Sequence, residues 1–125
     1  FGAGVIGDIR RCTNMIFDVH LMISEPLRYV DSFVKAGADI VTFHYEAVNN
    51  PMATLKAIKE REIPCGIAIS PRTPAEAALP FVGLADMIVV MDNGHIEDVG
   101  NHDELMSRCS IYQEVYYSQQ KGGME

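Results

Sequence analysis

The sequence predicts an α/β fold: four parallel strand–helix units, then an antiparallel hairpin strand and a terminal helix. Three observations carry this. Apolar runs begin near residues 16, 39, 64 and 86, a period of 22 to 25 residues, with amphipathic helical stretches between them. The junctions repeat in words, Gly37-Ala38-Asp39-Ile40-Val41 against Ala85-Asp86-Met87-Ile88-Val89. Asn93-Gly94 then sits between two apolar runs, a strong short-range hairpin signal. Alternating strand and helix at this period argues for a parallel sheet. Four units are half of a (β/α)8 barrel, which takes about 250 residues. The expectation is therefore a partial, half TIM barrel over residues 1–91 with a hairpin-and-helix addition over 92–125, in one folded body.

Each element follows from local pattern. Val5, Ile6 and Ile9 at helical spacing predict a short helix over residues 3–12. Residues 16–23 read as a strand with Phe17, Val19, Leu21 and Ile23 on one face. Ile16, Asp18, His20 and Met22 share the other. A histidine inside so apolar a run needs a polar partner, because burying imidazole alone is costly. Ser24 is placed to cap the next helix and Pro26 fits its first turn, with Leu27, Val30, Phe33 and Val34 as the buried stripe. Gly37 ends it. The second strand spans 39–46. Asn50-Pro51 opens a helix that turns Leu55 and Ile58 inward. The third strand, 64–70, alternates Gly66 and Ala68 with Cys65, Ile67 and Ile69. Thr73-Pro74-Ala75-Glu76 reads as a capping box before a helix carrying Leu79 and Val82. The fourth strand is 86–91, and 95–99 should return antiparallel to it. Asn101 and Glu104 form a reciprocal cap on the last helix, whose inner stripe is Leu105, Cys109, Tyr112 and Tyr116. Residues 119–125 read as a frayed polar tail.

Composition narrows function. The chain is 48% hydrophobic and 22% charged, with a net charge of −7. There is no basic stripe, so nucleic acid is not an expected partner. No apolar run approaches the roughly 20 residues that cross a bilayer, and no signal peptide is visible. Cys12, Cys65 and Cys109 are odd in number and far apart, which reads as reduced thiols in a cytoplasmic setting. Phe1-Gly2-Ala3-Gly4 does not read as a natural beginning, so a fragment or trimmed product is expected.

Residues 1–91 resemble ribulose-phosphate 3-epimerases. The resemblance rests on Asp18-Val19-His20-Leu21-Met22, Glu25-Pro26, Ala36-Gly37-Ala38-Asp39, His44-Tyr45-Glu46-Ala47, Ile69-Ser70-Pro71 and Ala85-Asp86-Met87 with Met91. It implies an isomerase of the pentose phosphate pathway that interconverts ribulose 5-phosphate and xylulose 5-phosphate. Such an enzyme uses a divalent metal (Zn, Fe, Mn or Co) and two opposed aspartates. By the resemblance His20 is a metal ligand, and Met22 and Met91 line the sugar-phosphate site. No catalytic aspartate and no further metal ligand maps onto this chain, so no catalytic residue is expected to be retained and activity alone is not expected. Asp18, His44 and Glu46 could supply substitute donors, or could simply make hydrogen bonds within the half-barrel.

Residues 84–125 are similar to the C-terminal end of an ABC-transporter nucleotide-binding domain. The similarity rests on residues 85–96, then Gly100-Asn101-His102-Asp103-Glu104-Leu105, Ile111-Tyr112 and Tyr116. The chain then reads as an apparent hybrid, or chimera. It has no phosphate-cradling Gly-Lys-Ser/Thr loop, so no ATP binding is expected. His95 and His102 are expected to face solvent, Asp103 and Glu104 to suit a helix N-terminus, and Tyr112, Tyr116 and Tyr117 to pack. Cys65 reads as an inert core thiol. A half-barrel leaves its concave apolar face and its edges open, so self-association through that face is expected.

Overall fold

A computed structural model describes residues 2–70, 73, 75–92 and 95–122 of the chain. Helix α1 (Ala3–Arg10) precedes strand β1 (Asp18–Leu21). A 3-10 turn (Pro26–Arg28) leads into α2 (Val30–Ala36), then β2 (Ile40–His44), α3 (Pro51–Lys59) and β3 (Cys65–Ala68). A 3-10 segment (Ala75–Phe81) precedes β4 (Ile88–Asp92), β5 (His95–Gly100), α4 (His102–Arg108) and α5 (Ser110–Gly122).

The sheet is parallel in the order β1-β2-β3, with Val19 beside Val41 and Val41 beside Cys65. The predicted fourth parallel strand does not join it as a ladder. Met87, just before β4, makes one isolated parallel bridge to Gly66 of β3, and β4 then pairs antiparallel with β5. The cause is competition for its apolar side chains. Val90 is buried with Leu105 and Cys109, in a small second core that Ile88, Ile111 and Tyr112 flank. The hairpin direction matches the Asn93-Gly94 signal, although those two residues lie outside the described ones.

One face of the three-stranded sheet holds the main core. Val19, Leu21, Val41, Phe43 and Cys65 pack there with Val30 of α2 and with Leu55 and Ile58 of α3. Phe43, Leu55, Ile58, Val30 and Val41 are fully buried, each contributing about 1.5–3 kcal/mol of transfer free energy. The opposite face carries Asp18, His20, Thr42, His44, Gly66 and Ala68. That face is polar, so the expected bare apolar concave surface is not what the fold presents. The exposed apolar side chains nearest β1 flank it in sequence instead, at Met15, Ile16, Met22 and Ile23.

The helix ends show how local sequence acts. Gly37 ends α2 at φ +111°, and a Cβ there would meet Arg10 Cδ at 2.4 Å, so both conformation and space require glycine. Asn50 Oδ1 accepts from the Ala53 amide at 3.0 Å to start α3. The reciprocal cap on α4 is present, with Asn101 Oδ1 accepting from the Glu104 amide and Glu104 Oε2 accepting from the Asn101 amide. The first predicted helix stops at Arg10 rather than residue 12. Ser24 does not cap α2: the chain makes a 3-10 turn from the buried Pro26 first, and Glu25 and Tyr29 provide no side-chain cap. The single predicted terminal helix divides at Cys109, whose backbone is extended (φ −96°, ψ 104°). Leu105 and Cys109 still point inward across the break. The helix predicted after Thr73 is a 3-10 segment with Pro80 inside it, and its proposed Pro74 start lies outside the described residues. α5 runs to Gly122, further than the expected fraying point.

Candidate functional site

The parallel register brings Asp18 and His20 of β1 alongside Thr42 and His44 of β2 on the polar sheet face. His20 lies 3.1 Å from Asp18, Nε2 to Oδ2. A carboxylate can only accept, so the imidazole N–H donates. The second Asp18 oxygen accepts from the Thr42 hydroxyl at 2.9 Å. Thr42 is buried, and a Cβ on Gly66 would stand 2.4 Å from its hydroxyl oxygen. Gly66 therefore leaves the room in which Thr42 orients Asp18, and Asp18 in turn orients His20. The histidine is not buried as its apolar surroundings suggested: its side chain is 48% exposed, although Thr42 on the neighbouring strand of the same face is buried. Its partner is nonetheless present.

Glu46, the other carboxylate considered, points elsewhere. Its Oε1 accepts from the Ser70 amide at 2.8 Å and the Thr73 hydroxyl at 2.5 Å, tying the turn after β2 to the segment after β3. Partial desolvation opposes its ionised form, but these hydrogen bonds outweigh that and hold the carboxyl below its usual range. Among the described residues no three His, Cys, Asp or Glu side chains gather as a metal cluster. Two donors are too few for a divalent cation that takes four to six ligands. The described residues do not complete a metal centre. Met22 is 75% exposed just past the end of β1. Met91 is in β4 opposite Ile96, and its side chain lies outside the described residues.

Two clamps position the strands, and these are the residues sequence reasoning missed. Asp39 Oδ2 accepts from the Phe17 amide at 2.8 Å and from Arg10 at 2.9 Å. Arg10 also donates to the Gly37, Thr13 and Met15 carbonyls and lies 4.0 Å over the Phe17 ring. Asp86 repeats the device two units on: its Oδ2 accepts from the Cys65 amide at 2.9 Å, and Lys59 bonds both its oxygens at 3.0 and 3.1 Å. In each case the helix before a strand supplies the cation and the start of the following strand supplies the carboxylate. The signal was the repeated Ala-Asp junction, whose structural meaning is this clamp. The Phe17 backbone bond, joined by Arg10, holds Asp39 below the ordinary carboxylate range. Burial, with Asp86 adding to it, pushes the Cys65 thiol up to about 12, which leaves it inert at neutral pH.

In the C-terminal part His95 is exposed, as expected. His102 is not solvent-facing: its Nδ1 lies 2.9 Å from Tyr112 Oη and its ring centroid 5.0 Å from that of Tyr116. As the first residue of α4, His102 packs its ring against Tyr112 and Tyr116 of α5. Asp103 and Glu104 occupy the first turn of α4. All three cysteines are free, Cys12 exposed and the other two buried. No helix among the described residues is long and apolar enough to cross a membrane.

The α/β fold with its three-stranded parallel sheet is consistent with a partial TIM barrel, and comparison with known proteins identifies the family. The profile of the ribulose-phosphate 3 epimerase family matches residues 1–97. The chain belongs to the ribulose-phosphate 3-epimerase family. A ribulose-phosphate 3-epimerase of Chlamydia muridarum is 42% identical over 91 residues, 73% of this chain and 40% of its own length. That of Treponema pallidum is 41% identical over 91 residues, 73% of this chain and 42% of the relative. That of Candida glabrata is 44% identical over 85 residues, 68% of this chain and 34% of the relative. The chain thus spans about two fifths of the length of the curated relatives it matches. The family match continues to Glu97, past the expected end of the resemblance at residue 91. A solved bacterial Atm1-family ABC exporter with ATP bound aligns at a TM-score of 0.44 and 22% identity, over 70% of this chain and 15% of the exporter, which is too weak to carry an argument.

Proposed function

We propose that this chain supplies one face of a ribulose-phosphate 3-epimerase site and does not turn over substrate alone. The observation that supports this is the donor count on the polar sheet face. His20 stands where the family resemblance puts a metal ligand, held by Asp18, with no third donor converging on it among the described residues. In a complete epimerase a divalent ion would stabilise the enediolate charge of the sugar phosphate. Here the chain's own part is limited to presenting an imidazole in a fixed orientation through Thr42 and Asp18. Met22 and Met91 would flank the sugar. Three unpaired cysteines accord with a reducing, cytoplasmic setting. The test is a cobalt(II) titration followed by absorbance, on the chain and on His20→Ala. Weak binding that the substitution removes is expected. Binding that His20→Ala leaves unchanged refutes the ligand role, and tight stoichiometric binding refutes the incompleteness.

A second reading keeps residues 84–125 as a noncatalytic module like the end of an ABC-transporter ATPase. Its support is the separate small core of Val90, Leu105 and Cys109. On this reading too the chain binds no ATP, and equilibrium dialysis with radiolabelled ATP checks it: retained nucleotide would contradict it.

A further inference from the structure

We propose that Thr42 is a positioning residue that sets the tautomer of His20, so that Nε2 carries the proton and Nδ1 is the nitrogen offered to a ligand. The inference rests on the reading of His20 as the functional group of this face and decides which of its nitrogens acts. Two hydrogen bonds run in series across neighbouring strands. The Thr42 hydroxyl donates to Asp18 Oδ1 at 2.9 Å, and Asp18 Oδ2 accepts from His20 Nε2 at 3.1 Å. An ionised carboxylate has no proton to give, so the contact selects the Nε2–H form and leaves the lone pair on Nδ1.

Thr42 is the fixed end of this series. The strand register sets it beside His20, with Asp18 two residues back on the same face, so hydroxyl and imidazole reach one carboxylate. Thr42 is 3% exposed, whereas the Asp18 and His20 side chains are 27% and 48% exposed. A β-branched side chain has few χ1 wells, and burial leaves packing to choose among them. Gly66 on β3 keeps the space this choice needs, since a Cβ there would stand 2.4 Å from the hydroxyl oxygen. Asp18 has no such packing. Without the hydroxyl its carboxylate is free to turn, and the imidazole loses the acceptor that distinguishes its nitrogens.

The test needs no metal, sugar phosphate or turnover. The native chain is carboxymethylated with bromoacetate after the exposed Cys12 is blocked, and the Nδ1 and Nε2 products at His20 are separated after peptide mapping. Alkylation takes place at the nitrogen that holds the lone pair, and an untied imidazole favours Nε2. The exposed His95 of β5 is the internal reference. His20 is expected to give mainly the Nδ1 product and His95 mainly the Nε2 product. Thr42→Val lowers the Nδ1-to-Nε2 ratio at His20 at least about threefold, and Asp18→Ala at least about tenfold, as the loss of a hydrogen bond implies. Thr42→Ser restores the wild-type ratio. Circular dichroism checks the fold. If Thr42→Val unfolds, Gly66→Ala, which crowds the same hydroxyl, is read in its place with the same expected loss. A wild-type ratio at His20 equal to that at His95 overturns the proposal. So does a ratio unchanged in the folded Thr42→Val or Gly66→Ala chain. Either failure leaves the ligand role of His20 standing if cobalt(II) binding still requires that residue, because a ligand can use either nitrogen.

Discussion

Asp86→Ala tests how β4 is held to the parallel sheet. The substitution removes the acceptor of the Cys65 amide at 2.9 Å and both hydrogen bonds from Lys59. The Lys59–Asp86 pair is more than a third exposed, which limits its own share to about 0.2–1 kcal/mol. The bond to the part-buried Cys65 amide is charge-assisted, and losing it costs about 1.5 kcal/mol. Together the loss is about 2 kcal/mol, or about 8 °C in Tm for a domain of this size. Lys59→Met removes only the ion pair and should cost about half as much or less. The assay is thermal and urea denaturation of both variants, with amide hydrogen exchange at Cys65. That amide should lose protection in Asp86→Ala and keep it in Lys59→Met. Equal losses in the two variants, or a change in Asp86→Ala below about 0.5 kcal/mol, would refute the reasoning.

Other expectations follow from the same contacts. Gly66→Ala drives a methyl to 2.4 Å from the Thr42 hydroxyl and should break the Thr42–Asp18 bond, at about 1–3 kcal/mol by chemical denaturation. Native thiol labelling at pH 8 should modify the exposed Cys12 rapidly and Cys65 only on unfolding, in keeping with a thiol pushed up to about 12. Asp31 is lowered by its Arg61 hydrogen bond, Asp39 by the Phe17 amide and Arg10, and Asp98 by its Arg108 hydrogen bond. A carboxyl depressed in the folded state stabilises above its unfolded value. Stability should therefore hold at pH values above about 4 and fall as pH drops through the folded values, in a pH-dependent melt. Tyr112, raised to about 12 by burial, and Cys65 act in the opposite direction. Their protonated forms are favoured by folding, so stability should be intact below the unfolded values near 8.5 to 10 and be lost as pH rises toward 12.

Much of the architecture was legible because the signals are local. The spacing of apolar runs placed β1, β2 and β3, and the Asn50-Pro51, Gly37 and Asn101–Glu104 ends act as their chemistry dictates. The fate of β4 was not legible, since a wholly apolar strand fits a parallel ladder as well as a hairpin and tertiary packing of Val90 decides. His20 misled for a related reason. Alternation gave its face, but its exposure depends on whether another layer covers that face. Arg10 and Lys59 look like ordinary surface cations in sequence, and only the fold shows each closing a clamp across 27 to 29 residues. In the candidate site, the Asp18–His20 pair could be read from spacing, whereas the diversion of Glu46 to Ser70 and Thr73 could not, because it depends on how the loop after β3 returns.

A coupled assay of ribulose 5-phosphate epimerisation by the purified 125-residue chain, with cobalt(II) or zinc(II) present and host epimerase genetically removed, bears most directly on the donor count. The polar sheet face as built predicts no conversion above the protein-free rate. Conversion that disappears in His20→Ala would contradict it.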